Sequence, residues 1–105
     1  MVEIKVDPGI CGMQTIINAD SDDERTATID IKSECEFIRS IAGELKEVDA
    51  FEECFTKICN TKTYTLANEY CKHPACPVPS AILKSIEVAC GLALPKDVEM
   101  KIINF

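Results

Sequence analysis

The fold is decided by residues 13–36, which read MQTIINADSDDERTATIDIKSECE. Apolar and polar residues alternate over residues 26–32, which is the period of a strand with one buried face. Residues 13–19 predict another strand, and the acidic run over residues 20–24 predicts a solvated turn between the two. We therefore expect the two strands to form an antiparallel hairpin.

The flanking sequence predicts further strands and a set of helices. Residues 2–6 alternate as a first strand. Ser33, followed three residues later by Glu36, has the form of a capping box, so a helix is expected from about Glu34 to Lys46. Further expectations are a helix after Asp49, a short helix from Tyr64 to Cys71, a last helix capped by Ser80 and stopped by Gly91, and a closing strand over residues 98–102.

Together these elements predict one α+β domain over residues 1–105. Its expected architecture is a small antiparallel sheet in the order β-β-β-α-α-α-β, with the helices packed on one face. The two outer strands, residues 2–6 and 98–102, are expected to pair at an edge of the sheet.

Composition excludes several classes of function. Hydrophobic residues make up 47% and charged residues 28% of the 105 residues, which are values of a globular chain rather than a disordered one. The net charge of −7 and the absence of a basic run argue against nucleic-acid binding. No apolar run has the length of a membrane span, and residues 1–6 alternate rather than form a signal peptide. We expect a cytoplasmic protein that binds neither nucleic acid nor membrane.

Seven cysteines are the unusual feature of the composition. An odd number without an export signal argues against a disulfide framework and favours metal, iron–sulfur or thiol chemistry. Cys54 and Cys90 lie on apolar helical stripes, so we expect them in the core. Cys59, beside Asn60 at a helix end, is left unassigned.

Three cysteines lie instead at breaks between predicted elements. Cys11 follows a Pro-Gly turn, Cys35 lies in the first turn of a helix, where the macrodipole favours a thiolate, and Cys76 precedes the last helix. We expect these three thiols to converge at one end of the sheet as ligands of zinc or an iron–sulfur cluster. His73 and Cys71 are the two candidates for a fourth ligand, and both stay open.

The three cysteines resemble those of a known family. A Cys-Gly pair at Cys11, a second cysteine at a helix start (Cys35) and a third before the C-terminal helix (Cys76) are spaced as in the U-type iron–sulfur cluster scaffold proteins, the IscU/NifU N-terminal family. The short acidic helix around residues 51–55 is also similar. The resemblance implies a cluster scaffold or carrier, and we expect a monomer or a weak dimer. It also implies a cysteine desulfurase or a cluster-accepting protein as partner.

The chain departs from that family at several places. Met13 stands where the family has an Asp after its Cys-Gly pair, and two residues separate His73 from Cys76 where the family has adjacent ones. Two alternatives therefore stay open. One is a persulfide acceptor that uses Cys76 or Cys35, and the other is a structural module whose loop over residues 72–79 is held by zinc. Whether the protein is an enzyme stays undecided.

Overall fold

The predicted hairpin forms the centre of the sheet. In a computed structural model that describes residues 1–105, β2 (Thr15–Asp20) and β3 (Thr26–Ser33) pair antiparallel. β1 (Val2–Val6) pairs antiparallel with β2, and the short β4 (Glu47–Asp49) pairs antiparallel with β3. The strand order is therefore β1-β2-β3-β4, so that β1 and β4 are the two edges.

Four α-helices lie on one side of this sheet, two of them packed directly against its central strands. They are α1 (Glu36–Glu44), α2 (Ala50–Cys54), α3 (Lys62–Tyr70) and α4 (Val78–Ala89), and a 3-10 turn spans Ile58–Asn60. Alternate residues of the two central strands are buried beneath the helices, whereas their neighbours on the other face are more accessible. The predicted α+β class with an antiparallel sheet is thus confirmed. None of the helices is both long and apolar enough to cross a membrane.

The predicted element order has three helices where the structure has four α-helices, and it is wrong in two further respects. First, β4 lies between α1 and α2; its three residues are too few to show a period of two in the sequence. Second, residues 98–102 form no strand, and Val98, Met100 and Ile102 are exposed. The expected pairing of this segment with residues 2–6 is therefore absent: β1 pairs with β2 alone, and its other side is free. Alternation is a local property and does not supply a pairing partner.

The predicted capping box at Ser33 is also wrong. Ser33 stays in β3, opposite Thr15, and the two hydroxyl oxygens lie 2.7 Å apart. Because sheet pairing holds Ser33 in the strand, Cys35 is the N-cap residue of α1, and its N–H donates to the Ser33 hydroxyl oxygen at 3.1 Å. The helix begins at Glu36, two residues later than predicted, and ends at Glu44.

The other helix boundaries divide into confirmed and shifted ones. Asp49 caps α2 as predicted, with its carboxylate accepting from the Phe51 N–H at 2.9 Å. Gly91 ends α4 with a φ of +73°, which glycine adopts without strain. The start of α4 is earlier than the predicted cap at Ser80, because the helix accommodates Pro79 within its first turn.

The start of α3 is also earlier than the predicted Tyr64, and its anchor is a buried carboxylate. Thr61 caps the helix, and its hydroxyl oxygen accepts from the Tyr64 N–H at 3.0 Å. Glu53 is buried and accepts from the Lys62 N–H at 2.7 Å, the Thr63 N–H at 2.9 Å and the Thr63 hydroxyl at 2.7 Å. These bonds fix α3 against α2 and compensate for the burial of the carboxylate.

Candidate functional site

Strand register brings two junctions of the chain to the same end of the sheet. Val6, the last residue of β1, pairs with Thr15, the first residue of β2. Thr15 in turn pairs with Ser33, the last residue of β3. The loop between β1 and β2, which carries Cys11, and the junction between β3 and α1, which carries Cys35, therefore leave the sheet side by side.

The loop that carries Cys11 turns on two glycines. Gly9 and Gly12 have φ angles of +96° and +67°, and the Gly12 N–H donates to the Gly9 carbonyl at 2.9 Å. Two hydrogen bonds then tie the end of this loop to the β3–α1 junction. The Gln14 N–H donates to the Glu34 carboxylate at 2.7 Å, and the Glu34 N–H donates to the Gln14 carbonyl at 3.0 Å. Cys11 itself is exposed.

Cys35 lies at the N-terminus of α1 in an extended backbone conformation, with φ −86° and ψ 124°. Its thiol is half-buried and makes no capping hydrogen bond to the helix. The N–H groups of the first turn of any helix lack intrahelical partners, so the thiol lies beside a cluster of backbone donors. The sequence predicts Cys35 in the first turn of the helix, whereas it lies one residue before that turn, which begins at Glu36.

The connection between α3 and α4 supplies the remaining candidate ligands. Cys71 is the C-cap of α3, where its N–H donates to the Ala67 carbonyl at 2.8 Å. A tight turn follows, closed by the Cys76 N–H donating to the His73 carbonyl at 3.0 Å. Both thiols are half-buried, whereas His73 is exposed.

One cavity of about 180 Å³ joins these three regions. All five candidate ligands predicted from the sequence line it: Cys11, Cys35, Cys71, His73 and Cys76. The rest of its wall is mostly apolar and consists of Pro8, Met13, Thr15, Phe37, Ile38 and Val78. No three His, Cys, Asp or Glu side chains anywhere in the chain are arranged to hold one metal ion in this conformation. The shared cavity is thus a finding, and metal ligation by these residues stays a prediction.

The thiols of this cavity influence one another. Burial is the main cause that raises the pKa of the Cys71 thiol to about 11, and the neighbouring Cys76 and Cys35 thiols also raise it. Cys71 is therefore a neutral thiol at neutral pH. A positive charge also lies near the wall, because the Lys72 ammonium is 5.5 Å from the centre of the Phe37 ring.

Sequence reasoning missed the apolar part of the wall. The sequence does not indicate Phe37 or Ile38 as lining residues, and it predicts Val78 in the loop over residues 72–79, whereas Val78 begins α4. Thr15 is buried although it is polar, with its hydroxyl satisfied by Ser33. A threonine in phase with the buried face of a predicted strand is the signal that could have indicated this position.

The remaining three cysteines lie outside the cavity. Cys90 is buried in the core, as predicted. Cys54 is half-buried and packs against that core; burial first, and then Glu87 and Cys90, raise its pKa to about 11. Cys59, for which the sequence predicts no role, is exposed in the 3-10 turn.

Comparison with known proteins places the chain in one family. A family model described as a family of unknown function, DUF6951, matches residues 2–102, and the chain belongs to this family. The match covers the whole sheet, all four helices and every residue of the cavity wall. No curated protein and no solved structure matches the chain.

Proposed function

We propose that this protein binds a zinc ion or an iron–sulfur cluster in the cysteine-lined cavity and carries it as cargo. Cys11, Cys35 and Cys76 are the proposed ligands, with His73 or Cys71 as the fourth. The observation that carries the proposal is that thiols from three distant parts of the chain line one cavity of about 180 Å³.

The chemistry of the donors fits such a cargo. Thiolate and imidazole groups are the preferred ligands of zinc, and thiolates are those of iron–sulfur clusters. The apolar remainder of the wall limits access of water, which is a lever by which proteins tune a bound metal. Cys11 lies on an exposed loop whose two glycines adopt left-handed conformations that other residues rarely take.

Exposure favours a carrier over a purely structural site. Cys11 and His73 are exposed, whereas Cys35, Cys71 and Cys76 are half-buried. A partner could therefore approach the cargo from the Cys11 side while the other thiols hold it. The resemblance to the U-type scaffold proteins supports the same function. It indicates a cysteine desulfurase or a cluster-accepting protein as partner, in the reducing cytoplasm.

Anaerobic reconstitution tests the proposal. The full chain is incubated with ferrous iron and sulfide, or with zinc, and then desalted and examined by absorbance and metal analysis. We expect a stoichiometric metal or cluster in the wild type and its loss in Cys76→Ser. Cys54→Ser is the matched control, because Cys54 is also half-buried but lies outside the cavity. A colourless, metal-free wild type with all seven thiols titratable would contradict the proposal.

Persulfide acceptance is the second candidate, favoured by the uncapped thiol of Cys35 at a helix start. In that reaction the Cys35 or Cys76 thiolate attacks the outer sulfur of a desulfurase persulfide. The desulfurase cysteine leaves as a thiolate, so no external oxidant is needed. Mass spectrometry after incubation with a desulfurase and free cysteine distinguishes the two functions by a single sulfur adduct on one of these residues.

A zinc staple is the remaining alternative, because Cys71, His73 and Cys76 all lie on the connection between α3 and α4. It predicts that removal of zinc unfolds the protein, whereas a carrier stays folded in the apo state. Thermal unfolding monitored by circular dichroism, with and without a chelator, separates the two.

A further inference from the structure

The exposed C-terminal segment and the free edge of the sheet have matching sequences. Residues 98–102 read VEMKI and β1 reads VEIKV, and both alternate apolar residues with one Glu and one Lys. The backbone makes no hydrogen bond to other backbone beyond Ala93, so the segment has no partner within the chain. β1 is an edge strand whose outer side is unpaired.

Charge selects one alignment of the two segments. If they run antiparallel with Ile4 opposite Met100, Glu3 lies opposite Lys101 and Lys5 lies opposite Glu99. A shift of two residues in one direction places Glu3 opposite Glu99, and the same shift in the other direction places Lys5 opposite Lys101. Parallel pairing with Val2 opposite Val98 produces both of these like-charge pairs. Like charges directly opposite each other destabilise a sheet, so only one alignment is favourable throughout.

The same alignment also continues the buried face of the sheet. Ile4 packs partly against the core and pairs with the fully buried Ile17 of β2, while Glu3 and Lys5 are exposed. Because side chains alternate across a strand, Met100 and its apolar neighbours would extend the Ile4 side of the sheet. The exposed apolar side chains of the segment would then be covered.

The path of the chain indicates that residues 98–102 pair with β1 of a second copy. Gly91 lies against Glu24 in the β2–β3 turn, since a Cβ at Gly91 would be 3.2 Å from the Glu24 carboxylate. The tail therefore leaves at the end of the sheet where Val2 pairs with Ala19. If the tail passes directly from that end along β1 of its own chain, it runs parallel to β1. Parallel pairing places like charges opposite each other. A second copy can approach from the Val6 end.

We infer that residues 98–102 of one chain add as an antiparallel fifth strand to β1 of a second chain, and reciprocally, in a symmetric dimer. Both segments lie within the region shared by the family, residues 2–102. A reciprocal exchange forms two identical contacts and closes on itself, so it produces a dimer rather than a filament.

Sedimentation equilibrium of the full chain from about 1 μM to about 1 mM tests the inference. We expect a transition from the mass of one chain to that of two. Lys101→Glu should weaken the dimer about tenfold, since it places like charges at both contacts. Glu3→Lys combined with Lys101→Glu should restore it, and Met100→Pro should abolish it by blocking strand pairing. Lys96→Glu, which makes the same charge change outside the paired segment, should leave it unchanged.

Three results would overturn the inference. One is the mass of a single chain at every concentration. This outcome includes the case in which hydrogen exchange shows residues 98–102 protected by pairing within their own chain. Another is a dimer that Met100→Pro leaves intact. The third is failure of the Glu3→Lys and Lys101→Glu combination to restore the association that Lys101→Glu alone weakens. All three positions are exposed or partly exposed, so the variants should retain the fold.

Discussion

Cysteines lie in two contrasting regions of this molecule. In the first, Cys35, Cys71 and Cys76 border a cavity at one end of the sheet, on residues that begin, end or precede helices. In the second, Cys54 and Cys90 lie on α2 and at the end of α4 and pack with the aliphatic core. The same side chain therefore meets a shared, partly accessible cavity in one region and close packing in the other.

This difference teaches that cysteine number alone does not predict chemistry. A thiol at a junction can approach thiols from distant parts of the chain, because loops at one end of an antiparallel sheet come together. A thiol in a helical stripe meets the neighbours that packing assigns to it and behaves as a small apolar group. Substitutions in each region test whether function and stability divide between them in this way.

The largest expected effect is on metal affinity in the cavity region. Cys35→Ser should lower the affinity for zinc by more than about 100-fold, since loss of a direct ligand should exceed the loss caused by removing an outer-shell partner. Competition with a chromophoric zinc chelator measures the affinity. Cys59→Ser, which changes an exposed thiol outside the cavity, should leave it unchanged. Equal losses in both variants would show that the cavity is not the binding site.

The second-largest effect is expected on the stability that Glu53 provides by holding α3 against α2. Glu53→Ala removes the acceptor of three hydrogen bonds at the start of α3 and should lower the free energy of unfolding by about 2 kcal/mol. Glu53→Gln, which keeps one acceptor oxygen, should lose less. Urea denaturation measures both. An unchanged midpoint in Glu53→Ala would contradict the anchoring role.

A smaller loss of stability is expected when the core cysteine becomes polar. Cys90→Ser should lower the free energy of unfolding of the apo protein by about 1 kcal/mol, because a hydroxyl group replaces an apolar thiol in the core. Cys76→Ser, at a half-buried position, should cost less. If Cys76→Ser proved the more destabilising, the assignment of the cavity cysteines to function rather than packing would fail.

The smallest effect is a pH dependence of Cys54. Its pKa is raised from 9.0 to about 11 in the folded chain, so the unfolded chain loses the thiol proton first as the pH rises. The stabilisation associated with the neutral thiol is constant below about pH 9 and is lost between pH 9 and pH 11. The stability difference between wild type and Cys54→Ala should therefore shift in favour of the variant over this window. Denaturation at several pH values measures it, and a flat difference would contradict the shift.

Local patterns predicted the hairpin and the capping of α2, because these depend on neighbours in sequence. Patterns failed where a tertiary partner decides. Ser33 has the chemistry of a helix cap but remains in β3, since Thr15 holds it there. Residues 98–102 have the alternation of a strand but do not pair with the free edge of β1 in their own chain. In both cases the outcome depends on a contact that no local window contains.

The candidate site, too, can be predicted only in part from local sequence. The nearness of Cys11 and Cys35 follows from strand register, because both leave the same end of a predictable hairpin. That Cys71 and Cys76 reach the same cavity depends on how α3 and α4 pack across the sheet, which no spacing in the sequence fixes. The apolar wall formed by Phe37 and Val78 depends on that packing as well.

The cavity wall is contributed by residues 8–15, 35–38 and 71–78, so it spans most of the length of the chain. A nascent polypeptide therefore has no such pocket until Val78 has left the ribosome and α4 has docked. Any small molecule or ion that needs contacts from all three segments recognises only the finished fold. Such a ligand stabilises that state against unfolding, and its retention would report that the three segments have assembled.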